Sequence, residues 1–174
     1  MVRTRNAILP DVEQIHTIIR AYSGNGTLLP RTLAELRENV RDFIVAEDDN
    51  KGVIVGCGAL HLYGMHLAEI RSIAVTPSTK GLGAGRKLVE ALLKEAERHE
   101  VTCVCLFTRM PEFFAHMGFI LAKRDDLPDK IYKDCVHCPA FNACDEIAMY
   151  RGEIPNHNGV RDLQIPKPLV KLTV

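Results

Sequence analysis

The chain has 174 residues, 47% of them apolar and 25% charged, which predicts one domain with an ordinary core rather than two. Lysine plus arginine balance aspartate plus glutamate at 22 each, so no global field draws the chain to nucleic acid or to anionic lipid. The N-terminal Met1-Val-Arg-Thr-Arg-Asn6 lacks the apolar stretch of a signal peptide and no apolar run is long enough to span a bilayer, which predicts a soluble cytoplasmic protein whose six cysteines are reduced.

Residues 2–7 alternate as a first strand, and Pro10 with Asp11 opens a helix carrying Val12, Ile15, Ile18 and Ile19 at helical spacing. The run Tyr22-Ser-Gly-Asn-Gly26 stops it. Thr32-x-x-Glu35 has the form of a capping box and starts a second helix with Leu33, Leu36 and Val40 on one face. A strand at 43–46, a turn at 48–52 and an apolar, glycine-rich strand at 53–62 follow as a meander, with the next strand at 69–75. The helix from about 83 to 98 carries a wide stripe of Leu88, Val89, Leu92, Leu93 and Ala96, made to pack on a sheet. Then come a buried strand at 101–107, a short helix at 112–117, a strand at 118–121 and another at 146–150. The tail from Gly152, with Pro155, Pro166 and Pro168, reads as extended. Antiparallel strands followed by a βαβ unit predict a mixed α/β sheet flanked by helices.

The most informative segment is the strand–turn–helix succession from Glu69 to Leu93. Gly81, Gly83 and Gly85 remove the side chains that keep a ligand off the backbone, and the following helix offers unpaired N–H groups and the positive end of its dipole. An anionic, phosphate-bearing ligand fits that arrangement; a plain strand-to-helix turn is the alternative. The spacing is neither that of a P-loop nor the Gly-x-Gly-x-x-Gly of a dinucleotide site.

Lys80-x-x-Gly83-x-Gly85 after a strand resembles the acyl-CoA pyrophosphate loop of the GNAT acetyltransferase superfamily, Arg/Gln-x-x-Gly-x-Gly/Ala. The order of elements, and the short helix Glu112-Phe-Phe-Ala-His-Met-Gly-Phe119 leading into a strand, resemble that fold over most of the chain. Within it, Leu28-Leu-Pro-Arg31-Thr-Leu-Ala-Glu-Leu, Gly56-Cys-Gly-Ala-Leu, Glu69-Ile-Arg-Ser-Ile-Ala-Val, Thr108-Arg109 and Leu127-Pro-Asp-Lys are similar to the acetyltransferase domain of N-acetylglutamate synthases, over residues 3 to about 150. Long members of that family carry a preceding amino-acid-kinase domain and arginine feedback; the chain has no room for that domain and resembles the short, stand-alone form.

The resemblance implies a mostly antiparallel central sheet flanked by helices and acetyl-CoA as donor, with no metal required. The loop Lys80, Gly81, Leu82, Gly83, Ala84 and Gly85 would hold the pyrophosphate. The strand at 69–75 would splay from its neighbour so that the backbone of Ile73, Ala74 and Val75 pairs with the pantetheine amides. Glu69, on the strand face of Arg71 and Ile73, matches the acidic position that serves as general base through water; the alternative is a structural salt bridge with Arg71. Arg31 and Arg109, assisted by Arg71, would hold substrate carboxylates, against the alternative of surface arginines covering apolar area. The tyrosine that usually protonates the departing thiolate is replaced by Phe113-Phe114, so Tyr132 or a water substitutes, or the thiolate leaves unassisted. The implied reaction moves an acetyl group to the α-amine of L-glutamate by direct attack, the first step of arginine biosynthesis. Alternatives are another amino acid, a polyamine or a protein amine as acceptor, or a non-catalytic module binding acyl-CoA or zinc. The expected partner is the small amino-acid substrate, with neither nucleic acid nor membrane, and a homodimer is compatible with the sequence.

Cys135-x-x-Cys138-x5-Cys144 is the feature that the resemblance does not explain. Three thiolates and His137 could form a tetrahedral zinc site, but such sites usually pair two knuckles and one is present; a disulfide or free thiols are the other readings. Cys57, Cys103 and Cys105 lie in apolar strands and read as core, and His61, His66 and His116 have no ligand spacing.

Overall fold

The computed structural model describes residues 1–79, 81 and 83–155. Lys80 and Leu82, expected to hold pyrophosphate, and the tail beyond Pro155, expected to be extended, lie outside the described residues. In chain order the elements are β1 (Val2–Asn6), α1 (Val12–Ser23), α2 (Leu33–Glu38), β2 (Phe43–Asp48), β3 (Val53–Gly64), β4 (Leu67–Val75), α3 (Ala84–Arg98), β5 (Cys103–Thr108), α4 (Pro111–Ala115), β6 (Ile120–Leu121), α5 (Pro128–Lys133) and β7 (Ile147–Gly152). They build a seven-stranded sheet in the order β1-β2-β3-β4-β5-β7-β6, antiparallel except where β4 meets β5. Among the described residues no helix is long and apolar enough to cross a membrane.

Local signals place most of these elements. The Thr32 hydroxyl accepts the Glu35 N–H at 3.2 Å while the Glu35 carboxylate accepts the Thr32 N–H at 2.7 Å, the reciprocal bonds that start α2. Arg5 forks onto Asp11 at 2.6 and 3.0 Å and reaches Glu47 at 2.9 Å, tying β1, the start of α1 and β2 together. That guanidinium holds the Asp11 carboxyl below the usual range, against the opposing effect of its burial.

The two sheet faces carry different cores. On one, the α3 stripe of Leu88, Val89, Leu92, Leu93 and Ala96 packs on Ile44, Val55, Leu60, Ile70, Val104 and Leu106. On the other, α1 and α2 cover Phe43, Val45, Cys57 and Ala59, while Leu127 and the segment around α5 cover Leu67, Cys103, Cys105 and Ala148. The sheet is open between these two covers: β4 and β5 pair only through Ala68 with Val104 and Glu69 with Cys105, and then part. Beyond that apex β4 has a bulge in which Ser72 takes φ 52° and the partner register skips from Ala59–Arg71 to Cys57–Ala74. The splay expected of the strand at 69–75 is therefore present.

Two differences from the sequence reading have local causes. The bulge reverses the alternation, so Ile73 packs on the α3 side while Ala74 joins Cys57 and Ala59 on the opposite face; Glu69 and Arg71 keep their common side and Ile73 leaves it. Helix α5 was not anticipated as an element: Pro128 sits at its first turn, but its six residues bury none fully and show no apolar stripe.

Candidate active site

The glycine-rich turn adopts the geometry its composition implies. Gly81 and Gly83 have φ of +84° and +77°, a region that only glycine enters without strain, and a Cβ at either would meet no atom within 4 Å. Gly83 is the N-cap of α3 and its carbonyl accepts the first helical bond, from Lys87 N–H at 3.0 Å. Glycine at the N-cap brings no side-chain oxygen to the N–H groups of the first turn, which helix geometry leaves without partners inside the helix. Gly85 differs: its virtual Cβ lies 3.6 Å from the Phe113 ring and 4.0 Å from Val75, an ordinary contact inside the helix.

The parting of β4 and β5 exposes one edge of β4. Thr76 N–H donates to the Val55 carbonyl at 2.7 Å, so the carbonyl at the other end of that trans peptide, that of Val75, points away from β3 and into the opening. By the same alternation the Ile73 carbonyl faces the opening, whereas the backbone of Ala74 is turned to its β3 partner Cys57. Of the three residues expected to offer backbone groups, Ile73 and Val75 turn theirs to the opening and Ala74 turns its own to β3. The Tyr22 hydroxyl, from the end of α1, donates to the Val75 carbonyl.

Glu69 stands at the apex of this opening, 3% exposed. Its partner is not Arg71: Lys130 of α5 places its Nζ 2.8 Å from Glu69 Oε1, and the Tyr63 hydroxyl lies 3.0 Å from Oε2. Both groups also reach Asp134 at the end of α5, Tyr63 at 2.6 Å and Lys130 at 3.3 Å, and Arg71 lies 3.7 Å from the same carboxylate. Two carboxylates and two cations thus neutralise one another, with Glu69 buried and Lys130, Arg71 and Asp134 partly exposed, which makes the burial of the Glu69 charge tolerable. Burial works against the charge of Lys130, but Glu69 and Asp134 outweigh it and raise its pKa. Burial also opposes ionisation of Asp134, yet Tyr63, Lys130 and Arg71 leave its carboxyl below the usual range. Burial first, and then Glu69 and Asp134, push Tyr63 far above the ordinary phenol value, so it is a neutral hydrogen-bond donor.

Each of the three arginines expected to hold substrate carboxylates has an acidic neighbour. Arg109, just past the end of β5, holds Asp145 at 2.6 Å, approaches Glu146 at 3.8 Å, and donates to the Gly26 and Thr27 carbonyls at 3.3 and 3.2 Å. Arg31 and Arg71 both help to hold the Glu35 carboxyl low, after the larger contributions of its bonds to Thr32 and against its burial, which places both arginines around the start of α2. Arg31 also lines a surface depression of about 510 Å³ with His16, Arg20 and Pro30.

Residues that sequence reasoning missed are Tyr63, Lys130, Asp134 and Glu146. Glu146 is a half-buried carboxyl whose pKa is raised by that burial, with Arg109 and Lys130 opposing and Glu69 adding to the effect. Only the Leu127-Pro-Asp-Lys string pointed toward this region. Tyr132 is 75% exposed; the tyrosine that reaches Glu69 is Tyr63. Cys135, Cys138 and Cys144 are free and partly buried, and among the described residues no group of three or more His, Cys, Asp or Glu side chains is placed to hold a metal ion. Cys57, Cys103 and Cys105 are buried as expected, and burial pushes the Cys57 thiol up to about 12.

Comparison with known proteins agrees with this geometry. An uncharacterized N-acetyltransferase of Chlorobaculum tepidum is 41% identical over 147 residues, covering 84% of this chain and 94% of that protein. An amino-acid acetyltransferase of Mycobacterium tuberculosis is 41% identical over 116 residues, covering 66% of each chain. The crystal structure of N-acetylglutamate synthase from Neisseria gonorrhoeae, complexed with coenzyme A and N-acetyl-glutamate, superposes with a TM-score of 0.78 at 26% identity over 90% of this chain and 36% of that one. The chain thus spans nearly all of the first relative but two thirds or less of the other two. The profile of the acetyltransferase (GNAT) family matches residues 10–119, from the start of α1 through the glycine-rich turn to the end of α4 and the Phe119 that follows it; the chain belongs to the acetyltransferase (GNAT) family.

Proposed function

We propose that the chain transfers an acetyl group from acetyl-CoA to the α-amine of L-glutamate. The family membership makes it an N-acetyltransferase with acetyl-CoA as donor; the acceptor is our reading. The observation that carries it is the placement of Glu69 at the apex where β4 and β5 part, with Arg71 two residues farther on the same face. The turn at Gly81 to Gly85 and the first turn of α3 receive the pyrophosphate on backbone N–H groups. The edge of β4 at Ile73 and Val75 pairs with the pantetheine amides as an added strand does, which requires the Tyr22 hydroxyl to share or yield the Val75 carbonyl.

An amine near neutral pH is protonated and attacks only after losing that proton. Glu69 is too enclosed to touch the ammonium broadly, so it takes the proton through one ordered water. The amine nitrogen then forms its bond to the thioester carbon, the tetrahedral intermediate gives the surplus proton of its nitrogen to water, and as it collapses the carbon–sulfur bond breaks with its electrons on sulfur. With Phe113 and Phe114 where a tyrosine acid is usual, the thiolate leaves unassisted or takes a proton from water. Arg71, Arg31 and Arg109 orient the carboxylates of the acceptor.

The amino-acid acetyltransferase and N-acetylglutamate synthase among the relatives support this acceptor. One observation favours a second reading: Arg109 already holds Asp145, so a second substrate carboxylate must displace it, whereas an acceptor with one carboxylate, such as glutamine, need not. Thiol release from acetyl-CoA, with glutamate offered beside glutamine, aspartate, lysine, arginine and spermidine, tests the proposal. Selective turnover of glutamate is the expected result. Turnover of another amine with none of glutamate would overturn the acceptor and keep the chemistry.

A further inference from the structure

We propose that Tyr63 and Asp134 form the exit route for the proton that Glu69 takes from the acceptor amine. The inference rests on the reading of Glu69 as the base. A base that is itself buried has a second task after accepting a proton, which is to lose it before the next turnover. The Glu69 side chain is 5% exposed and both of its oxygens are engaged, whereas the Asp134 side chain is 29% exposed. The Tyr63 oxygen lies between them, 3.0 Å from Glu69 Oε2 and 2.6 Å from Asp134 Oδ2. A phenol has one proton and lone pairs that accept, so it donates to one of these carboxylates at a time. When Glu69 carries a proton, it can donate to the Tyr63 oxygen while Tyr63 donates its own to Asp134. One O–H bond breaks and one forms at the phenol, which ends as it began, and a single proton has moved from Glu69 to Asp134. Asp134 then releases it to water.

The surroundings suit a neutral relay. Lys130 bridges the same two carboxylates but, as an ammonium, only donates; it holds both acceptors in place. Arg71 from β4 faces Asp134, His61 from β3 meets the Tyr63 ring edge-on at 4.9 Å, and Lys133 from α5 lies 5.3 Å over that ring. Among the described residues, Cys105 of β5, Cys135 after α5 and Glu146 before β7 also lie within the field of Glu69 or Lys130. Asp134 and Lys130 lie beyond residues 10–119, so this part of the cluster is a feature of this chain outside the family match.

The test is the steady-state kcat, set beside the single-turnover rate of acetyl transfer, for Tyr63→Phe, Asp134→Asn, the double variant and Glu69→Gln. Both single variants keep the shape of the site, and both are expected to lower kcat at least about tenfold while the first turnover is slowed far less, because the route is used only after the acetyl group has moved. The double variant is expected to be no slower than the slower single, since one route is broken once. A folded Tyr63→Phe or Asp134→Asn protein whose kcat stays within about twofold of the parent, or whose first turnover slows as much as its kcat, while Glu69→Gln is inactive, would overturn the relay, as would multiplicative effects in the double variant. Full activity of Glu69→Gln would instead overturn the assignment of the base.

Discussion

Replacing Lys130 by methionine keeps most of the length of the side chain and removes its charge, and its effect can be worked from distances. At an effective dielectric of about 20, the attraction is about 6 kcal/mol for Lys130 and Glu69 at 2.8 Å and about 5 kcal/mol for Lys130 and Asp134 at 3.3 Å. Desolvating the three charges returns much of this, and stripping one partner from a buried pair typically costs about 3–5 kcal/mol net. For a chain of this length that corresponds to a fall in Tm of about 6–20 °C. Thermal unfolding followed by circular dichroism measures it, with Lys130→Arg as the control that keeps the charge. The cause is separated by a double-mutant cycle: Glu69→Gln, which neutralises the stranded carboxylate, should recover more than about 1 kcal/mol of the loss in Lys130→Met. A folded Lys130→Met protein within about 1 kcal/mol of the parent, or an additive cycle, would refute the argument that α5 is held to β4 by this pair.

Three further outcomes are expected. Gly83→Ala forces a Cβ onto a φ of +77° and should cost about 1 kcal/mol while raising KM for acetyl-CoA, whereas Gly85→Ala, inside the helix with ordinary contacts, should leave stability unchanged or raise it by about 0.5–1 kcal/mol. Comparing the two by chemical unfolding and by donor kinetics checks this. Arg109→Ala should raise KM for the acceptor by about 10–100-fold, as the loss of a bond to a charged group does, and should loosen the segment at Gly26 and Thr27; unchanged acceptor kinetics reject the assignment. The Asp11 carboxyl has a folded pKa below its unfolded one, so the stability it contributes is complete above the ordinary carboxylate value near 4 and is lost as pH falls below it. Tm should therefore drop steeply under about pH 4, and Asp11→Asn should flatten that drop while lowering Tm at neutral pH.

The sequence by itself determined the elements whose causes are local. The Thr32–Glu35 box, the apolar stripe of α3 and the glycines before it act over a few residues, and each appears where its pattern placed it. The same glycine spacing, joined to the Glu69-to-Val75 strand, was enough to point to the GNAT family. What the sequence did not show depends on contacts between distant positions. The bulge at Ser72 is a mismatch between two strands and leaves no mark on β4 alone, so the side of Ile73 was misread. Lys130 and Asp134 stand in a six-residue helix without periodicity and the short turn after it, and their meaning comes from Glu69 and Tyr63, the latter 71 residues before Asp134. Likewise Arg109 was legible as a cation at a strand end, but not as the residue that joins Asp145 to the Gly26 segment. Periodicity and capping are short-range effects written in neighbouring residues; the neutralisation of a buried charge needs a partner that any part of the chain can supply, and only the folded arrangement of β4, β3 and α5 chose which.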